Sequence, residues 1–155
     1  MKYILALTLL VITTSIVFAN QEEFKLRIDE ENIVEIDKSN WTHLSDEKTY
    51  HFYVSKFNNQ TQDGYYRMHS MVEFKEENGK QYTNLEAPVK RVISFGFMQC
   101  QEGVFYLIGE LYTDKNNKII YSAKYEFGEF VAEVTAPNTA RNKAFMKVCI
   151  GGRDA

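Results

Sequence analysis

Three histidines, two cysteines and a few acidic clusters are the side chains in this sequence that could do chemistry, and their spacing decides which chemistry is open to them. His43, His51 and His69 are the only histidines. A zinc site read from sequence wants its ligands close together, as in His-x-His or His-x-x-x-His. Here the nearest pair, His43 and His51, is eight positions apart and each histidine stands singly, so no metal is expected. Nucleophilic catalysis has no better footing. The chain contains no Gly-x-Ser-x-Gly elbow, no Cys-x-x-Cys and no glycine-rich loop opening a helix to cradle phosphate. The acidic clusters Glu22-Glu23, Asp29 to Glu31 and Glu76-Glu77 fall in flanks and a turn, where a solvated edge is expected rather than paired catalytic carboxylates. These residues predict a protein that is not an enzyme and carries no cofactor.

The elements that hold these residues begin after an export signal. MKYILALTLLVITTSIVFA, residues 1 to 19, has a lysine near its start, an unbroken apolar and hydroxyl run, and the exit Val17-Phe18-Ala19. That pattern predicts cleavage, leaving residues 20 to 155 with no transmembrane segment. No cysteine stands at the exit to carry a lipid, so the chain does not read as a lipoprotein. The expected location is the periplasm or the cell surface of a bacterium. The formal charge is −3 and no basic block exceeds Lys90-Arg91, which argues against nucleic acid as a partner. Residues 20 to 32 read as a flank, 33 to 150 as one domain and 151 to 155 as a short tail.

Within the domain, runs of β-branched and aromatic residues separated by turn signals predict an antiparallel meander of about six strands. The expected strands are Ile33 to Asp37, Lys48 to Phe57, Tyr65 to Lys75, Lys90 to Cys100, Val104 to Thr113 and Lys118 to Phe127. Asn78-Gly79 suits a tight turn with two positive φ angles, Gln101 to Gly103 and Asp114 to Asn117 offer further reversals, and Gly128 ends the last strand. Period two sets Val92, Met98 and Cys100 against Ile93, Phe95 and Phe97. It likewise sets Val104, Tyr106 and Ile108 against Phe105, Leu107 and Leu111. In the last strand it sets Ile119, Tyr121, Ala123, Tyr125 and Phe127 against Ile120, Ser122, Lys124 and Glu126, as for one wet face. Both faces of the two central strands therefore want cover. One cover is a C-terminal helix entered at Pro137-Asn138, with Ala140, Ala144, Phe145 and Val148 on its apolar stripe, Cys149 beside them, and Gly151-Gly152 as its stop. The other is a curl of the sheet, a second layer of strands, or a partner's surface. The fold class is α+β. Export with two cysteines leaves one intramolecular pairing, Cys100 with Cys149, which would pin helix to sheet.

The run IVEIDKSNW (33 to 41), the strand end SFGFMQC (94 to 100), the stretch LYTDKNNKIIYSAKYEFGEFVAEVTAPNT (111 to 139) and the ending AFMKVC (144 to 149) together resemble the surface-adhesin protein E family of bacterial envelope proteins. The resemblance spans about Ile33 to Cys149. It implies an antiparallel sheet backed by a C-terminal helix and clamped by Cys100–Cys149, and for the named member adhesion to host proteins such as vitronectin and laminin. A protein partner is thus expected, and the two-faced central strands leave room for a homodimer. Trp41, the pair Tyr65-Tyr66 beside Arg67, and Lys90-Arg91 are the candidate contact residues, being aromatic and cationic anchors of the kind interfaces use. The alternative is a periplasmic inhibitor or immunity-type protein that occupies an exported effector or hydrolase, its acidic balance speeding capture of a basic target.

Overall fold

The chain doubles back on itself five times between Trp41 and Lys124, each strand pairing antiparallel with the one before. The computed structural model describes residues 27–28, 30–55, 64–125, 131–134 and 139–150. The proposed signal segment, the tail, Gly128, Pro137-Asn138 and Gly151-Gly152 lie outside them. A small ribbon comes first, β1 (Arg27–Ile28) with β2 (Val34–Glu35). The main sheet follows as β3 (Trp41–Asp46), β4 (Tyr50–Ser55), β5 (Tyr66–Phe74), β6 (Arg91–Gln99), β7 (Val104–Thr113) and β8 (Ile119–Lys124). A further strand, β9 (Val131–Val134), pairs with Val104 to Leu107 of β7 beside the β8 pairing. The helix α1 (Ala140–Phe145) continues through Met146–Ile150 as a wider turn.

The α+β meander agrees with the sequence, and the departures have local causes. The expected first strand, Ile33 to Asp37, is not in the main sheet; its centre forms β2 of the ribbon, and Trp41–Asp46 takes the edge position instead. The ribbon also draws Arg27 and Ile28 of the flank into the fold. Asn78-Gly79 is not a two-residue hairpin. Only Gly79 has positive φ there (82°), and the long β5–β6 connection is closed further along by the Lys80–Val89 bridge. The turn at Asp114 to Asn117 does form, with Asn117 at φ 65° and Asp114 Oδ1 accepting from the amides of Asn116 and Lys118 at 2.8 and 2.9 Å.

Two cores lie on opposite faces of the sheet. On one, Ala144, Val148 and Cys149 of the helix pack on Phe52, Val54, Met68, Met98, Phe105 and Leu107. On the other, Val34 of the ribbon packs with Trp41, Met71 and Ile93. The second cover is thus a small layer of strands, tied to the start of β8 by Val34 N donating to Asn117 O (2.9 Å) and Ile119 N to Asn32 O (2.9 Å). The helix begins on Thr139, whose Oγ1 accepts from Asn142 N at 3.1 Å. The disulfide Cys100–Cys149 joins the end of β6 to the last helical turn.

Bulges move residues between these faces. Phe95 pairs with Gly109 but Gly96 with Leu107, so Ile108 is an extra residue in β7. Leu111, expected beside Phe105 and Leu107, consequently packs on the ribbon side, while those two stay on the helix side. Ile120 is extra in the same way between Tyr112–Tyr121 and Thr113–Ile119. The series expected to share one face of the last strand is therefore divided: Ile119 packs under the ribbon and Tyr125 against the helix-side core.

Candidate functional site

The ribbon-side face carries three groupings of polar chemistry. The first lies at the sheet edge. Leu44 is an extra residue of β3, because His43 pairs with Tyr53 and Ser45 with Phe52. Without it, His43 and Asp46 would point to opposite faces; with it, both stand on the ribbon side, and the β3–β4 hairpin sets His51 directly opposite Asp46. His43 Nε2 lies 3.6 Å from Asp46 Oδ2, and His51 Nδ1 hydrogen-bonds Asp46 Oδ1. One ligand-capable atom from each of the three falls within 4.8 Å of the others. The Tyr53 ring packs 5.2 Å from that of His43. Partial desolvation works against ionisation of Asp46, but the His51 hydrogen bond and the fields of His43, His51 and Lys75 outweigh it and hold the carboxyl below its ordinary range.

The second grouping is a buried ion cluster under the turn Lys38–Asn40. Glu73 is 7% exposed. Its Oε1 accepts from Arg91 Nη2 at 2.6 Å, and its Oε2 from Lys38 Nζ at 3.1 Å and Tyr53 Oη at 3.4 Å. Burial alone would raise its pKa, yet the charge of Arg91 and the hydrogen bonds from Lys38 and Arg91 lower it. Arg91 also donates to Asn117 Oδ1, which links β5 and β6 to the turn before β8.

The third is a cleft of about 380 Å³ where β8 gives way to β9 along β7. Phe95, Gly109 and Leu111 line it, with Arg67 and Lys124 as its cations and His69 in its wall. The rings of His69 and Phe95 meet edge to face at 5.3 Å. Burial, helped by the charge of Arg67, pushes the His69 pKa down to about 4, so it is neutral at pH 7. Glu110 borders the cleft, but its carboxylate accepts from Ser94 Oγ (3.1 Å) and Tyr112 Oη (2.9 Å).

The residues singled out as contact anchors separate accordingly. Trp41 is buried in the ribbon-side core, and its aromatic area is committed to folding. Arg91 belongs to the Glu73 cluster, and Lys90 Nζ straps the turn after β5 by donating to the carbonyls of Phe74 (2.5 Å) and Glu76 (2.8 Å). Tyr66 packs against the helix-side core. Tyr65 is half-buried with its ring 6.1 Å from that of Tyr106, and Arg67 lines the cleft. Sequence reasoning weighs His43, His51 and His69 and sets them aside as standing singly, and it does not single out Asp46 or Lys124 as site residues. A spacing rule for ligands does not anticipate a hairpin that folds eight positions back on themselves.

No family model matches the chain, and no curated protein or solved structure does. Among the described residues no helix is long and apolar enough to cross a membrane.

Proposed function

We propose that this chain is an exported, non-catalytic binding domain that holds a protein partner through the Arg67–Lys124 cleft. The observation that carries the reading is the cleft itself, an apolar floor of Phe95 and Leu111 with two cations and a neutral histidine, a combination suited to an acidic side chain flanked by apolar ones. The disulfide supports export to an oxidising compartment. The engagement of the two carboxylates nearest the sheet centre supports binding over catalysis: Glu73 is held by two cations and Glu110 by two hydroxyls. The resemblance of the motif order to the surface-adhesin protein E family makes matrix and serum proteins such as vitronectin and laminin the first partners to test.

The test is surface plasmon resonance of the mature protein and of an Arg67→Ala/Lys124→Ala variant over immobilised vitronectin and laminin at two salt concentrations. Saturable binding that weakens with salt and is lost in the variant is expected. Equal signals from both proteins would remove the cleft from the reading. Protease shaving of intact source cells complements it: rapid loss places the domain outside, whereas protection until the outer membrane is opened retires adhesion in favour of a periplasmic effector or hydrolase as partner.

A further inference from the structure

The bulge at Leu44 does something for the edge hairpin that packing alone does not require. Leu44 packs against the helix-side core and Ser45 is buried opposite Phe52, so the strand is secured on that side. The consequence on the other side is that His43, Asp46 and His51 converge. We propose that these three residues form a binding site for a borderline divalent transition metal, with Zn2+ the ion it suits.

The donor set selects the ion class. Two imidazoles and one carboxylate suit Zn2+ and its neighbours in the first transition row, whereas Ca2+ takes six to eight oxygen ligands and Mg2+ keeps an oxygen octahedron. The geometry is close to what coordination needs. Ligands about 2.0 to 2.2 Å from a tetrahedral zinc stand about 3.4 Å from one another. His43 Nε2 and Asp46 Oδ2 are already 3.6 Å apart, and the whole set falls within 4.8 Å, so small side-chain rotations close it. The backbone is held by the β3–β4 ladder and, on the β4 side, by pairing with β5, which leaves mainly side-chain freedom to be lost on binding. The site is open to solvent: the side chains of His43 and His51 are 43% and 36% exposed. Three protein ligands leave a position for water or for a donor from another molecule. The Lys75 ammonium, 3.8 Å from Asp46 Oδ1, is the competing cation, and it is exposed enough to swing away. This inference is independent of the cleft and of the partner proposed above.

The test uses the disulfide-bonded mature chain without a polyhistidine tag. Zn2+ is titrated by calorimetry, and Co2+ is followed through its visible absorption as a spectroscopic stand-in. The expected result is one equivalent bound. His51→Ala and Asp46→Asn should each weaken binding roughly tenfold or more, since losing a direct ligand costs at least what losing a supporting partner does. His69→Gln, in the distant cleft, should leave binding unchanged. Asp46→Asn keeps the shape of the side chain and decides the matter if His51→Ala does not fold. Absence of saturable binding in the wild type, equal binding by wild type and Asp46→Asn, or an equal loss in His69→Gln would each overturn the proposal.

Discussion

Gly96 of β6 lies against the ring of Phe105 on β7, so closely that a Cβ added at Gly96 would stand 2.4 Å from the ring Cζ and 2.3 Å from the carbonyl oxygen of Tyr106. The ring can shift, but the carbonyl is fixed in the ladder. Phe105 is itself fully buried, and the Arg141 guanidinium stacks on it at 4.2 Å, so the ring has little room to yield. Gly96→Ala is therefore expected to destabilise the protein by about 1 to 3 kcal/mol or more through overpacking. Urea unfolding would show a lower midpoint at unchanged slope. A midpoint equal to that of the wild type would mean that β6 and β7 adjust freely at the Ile108 bulge.

The disulfide sets a second expectation. Cys100 and Cys149 are 49 positions apart, and a loop of that length restricts the unfolded chain by roughly 4 kcal/mol in the chain-entropy account. The helix it tethers runs only from Ala140 to Ile150, too short to hold by itself in water, so the bond and the burial of Ala144 and Val148 must act together. Cys149→Ser should lower the thermal midpoint sharply and leave Cys100 titrating as one free thiol. Equal thiol counts in native and fully reduced wild-type protein would show that the bond is not formed in solution.

How much of this was legible in the sequence follows from where the physics is local. Period two placed Met98 and Ile93 on opposite faces correctly because no bulge intervenes between them in β6. It misplaced Leu111 because one extra residue, Ile108, reverses parity without any mark in composition. The same blindness hid the histidine–aspartate grouping, since Leu44 is an ordinary strand residue until its partner strand is known. The helix stripe and the cysteine pair were readable because helical spacing and cysteine count do not depend on register. The ribbon cover was foreseen only as one option among three, because β1 and β2 have two residues each. Trp41, by contrast, looked like an anchor only because its burial under the ribbon depends on that layer.

Glu73 and Arg91 supply a third expectation. Their side chains are 9% and 13% exposed and 2.6 Å apart, so Glu73→Gln would leave a nearly buried guanidinium beside a neutral amide. Breaking such a pair from one side costs about 3 to 5 kcal/mol, whereas the double variant Glu73→Leu/Arg91→Leu should recover much of the loss. The folded-state pKa of Glu73 is below its ordinary value of 4.5, so its contribution is present above that value and is lost as pH falls through the lower folded one. A double-mutant cycle of Glu73→Leu, Arg91→Leu and the two together, by chemical denaturation at pH 7, tests the coupling. Additive single-variant effects would mean that the pair contributes nothing beyond packing.

His69 gives the last expectation, and it operates at higher pH than Glu73. The imidazole is 8% exposed, and burial with the charge of Arg67 lowers its pKa from 6.5 to about 4. Between those values the unfolded chain binds a proton that the folded one refuses, so stability rises with pH across this window. The contribution is complete above about pH 6.5 and falls away progressively as pH drops toward 4. From pH 7 to pH 5 the loss should be roughly 2 kcal/mol, from about 1.4 kcal/mol per unit of displaced titration. His69→Gln keeps a polar group in the cleft wall and removes the titration, so its stability should change much less over that interval, whatever its absolute value. Denaturation midpoints of both proteins at pH 7 and pH 5 decide it. Parallel declines would show that His69 takes up its proton in the folded state as readily as in the unfolded one, and that the cleft is wetter than its geometry implies.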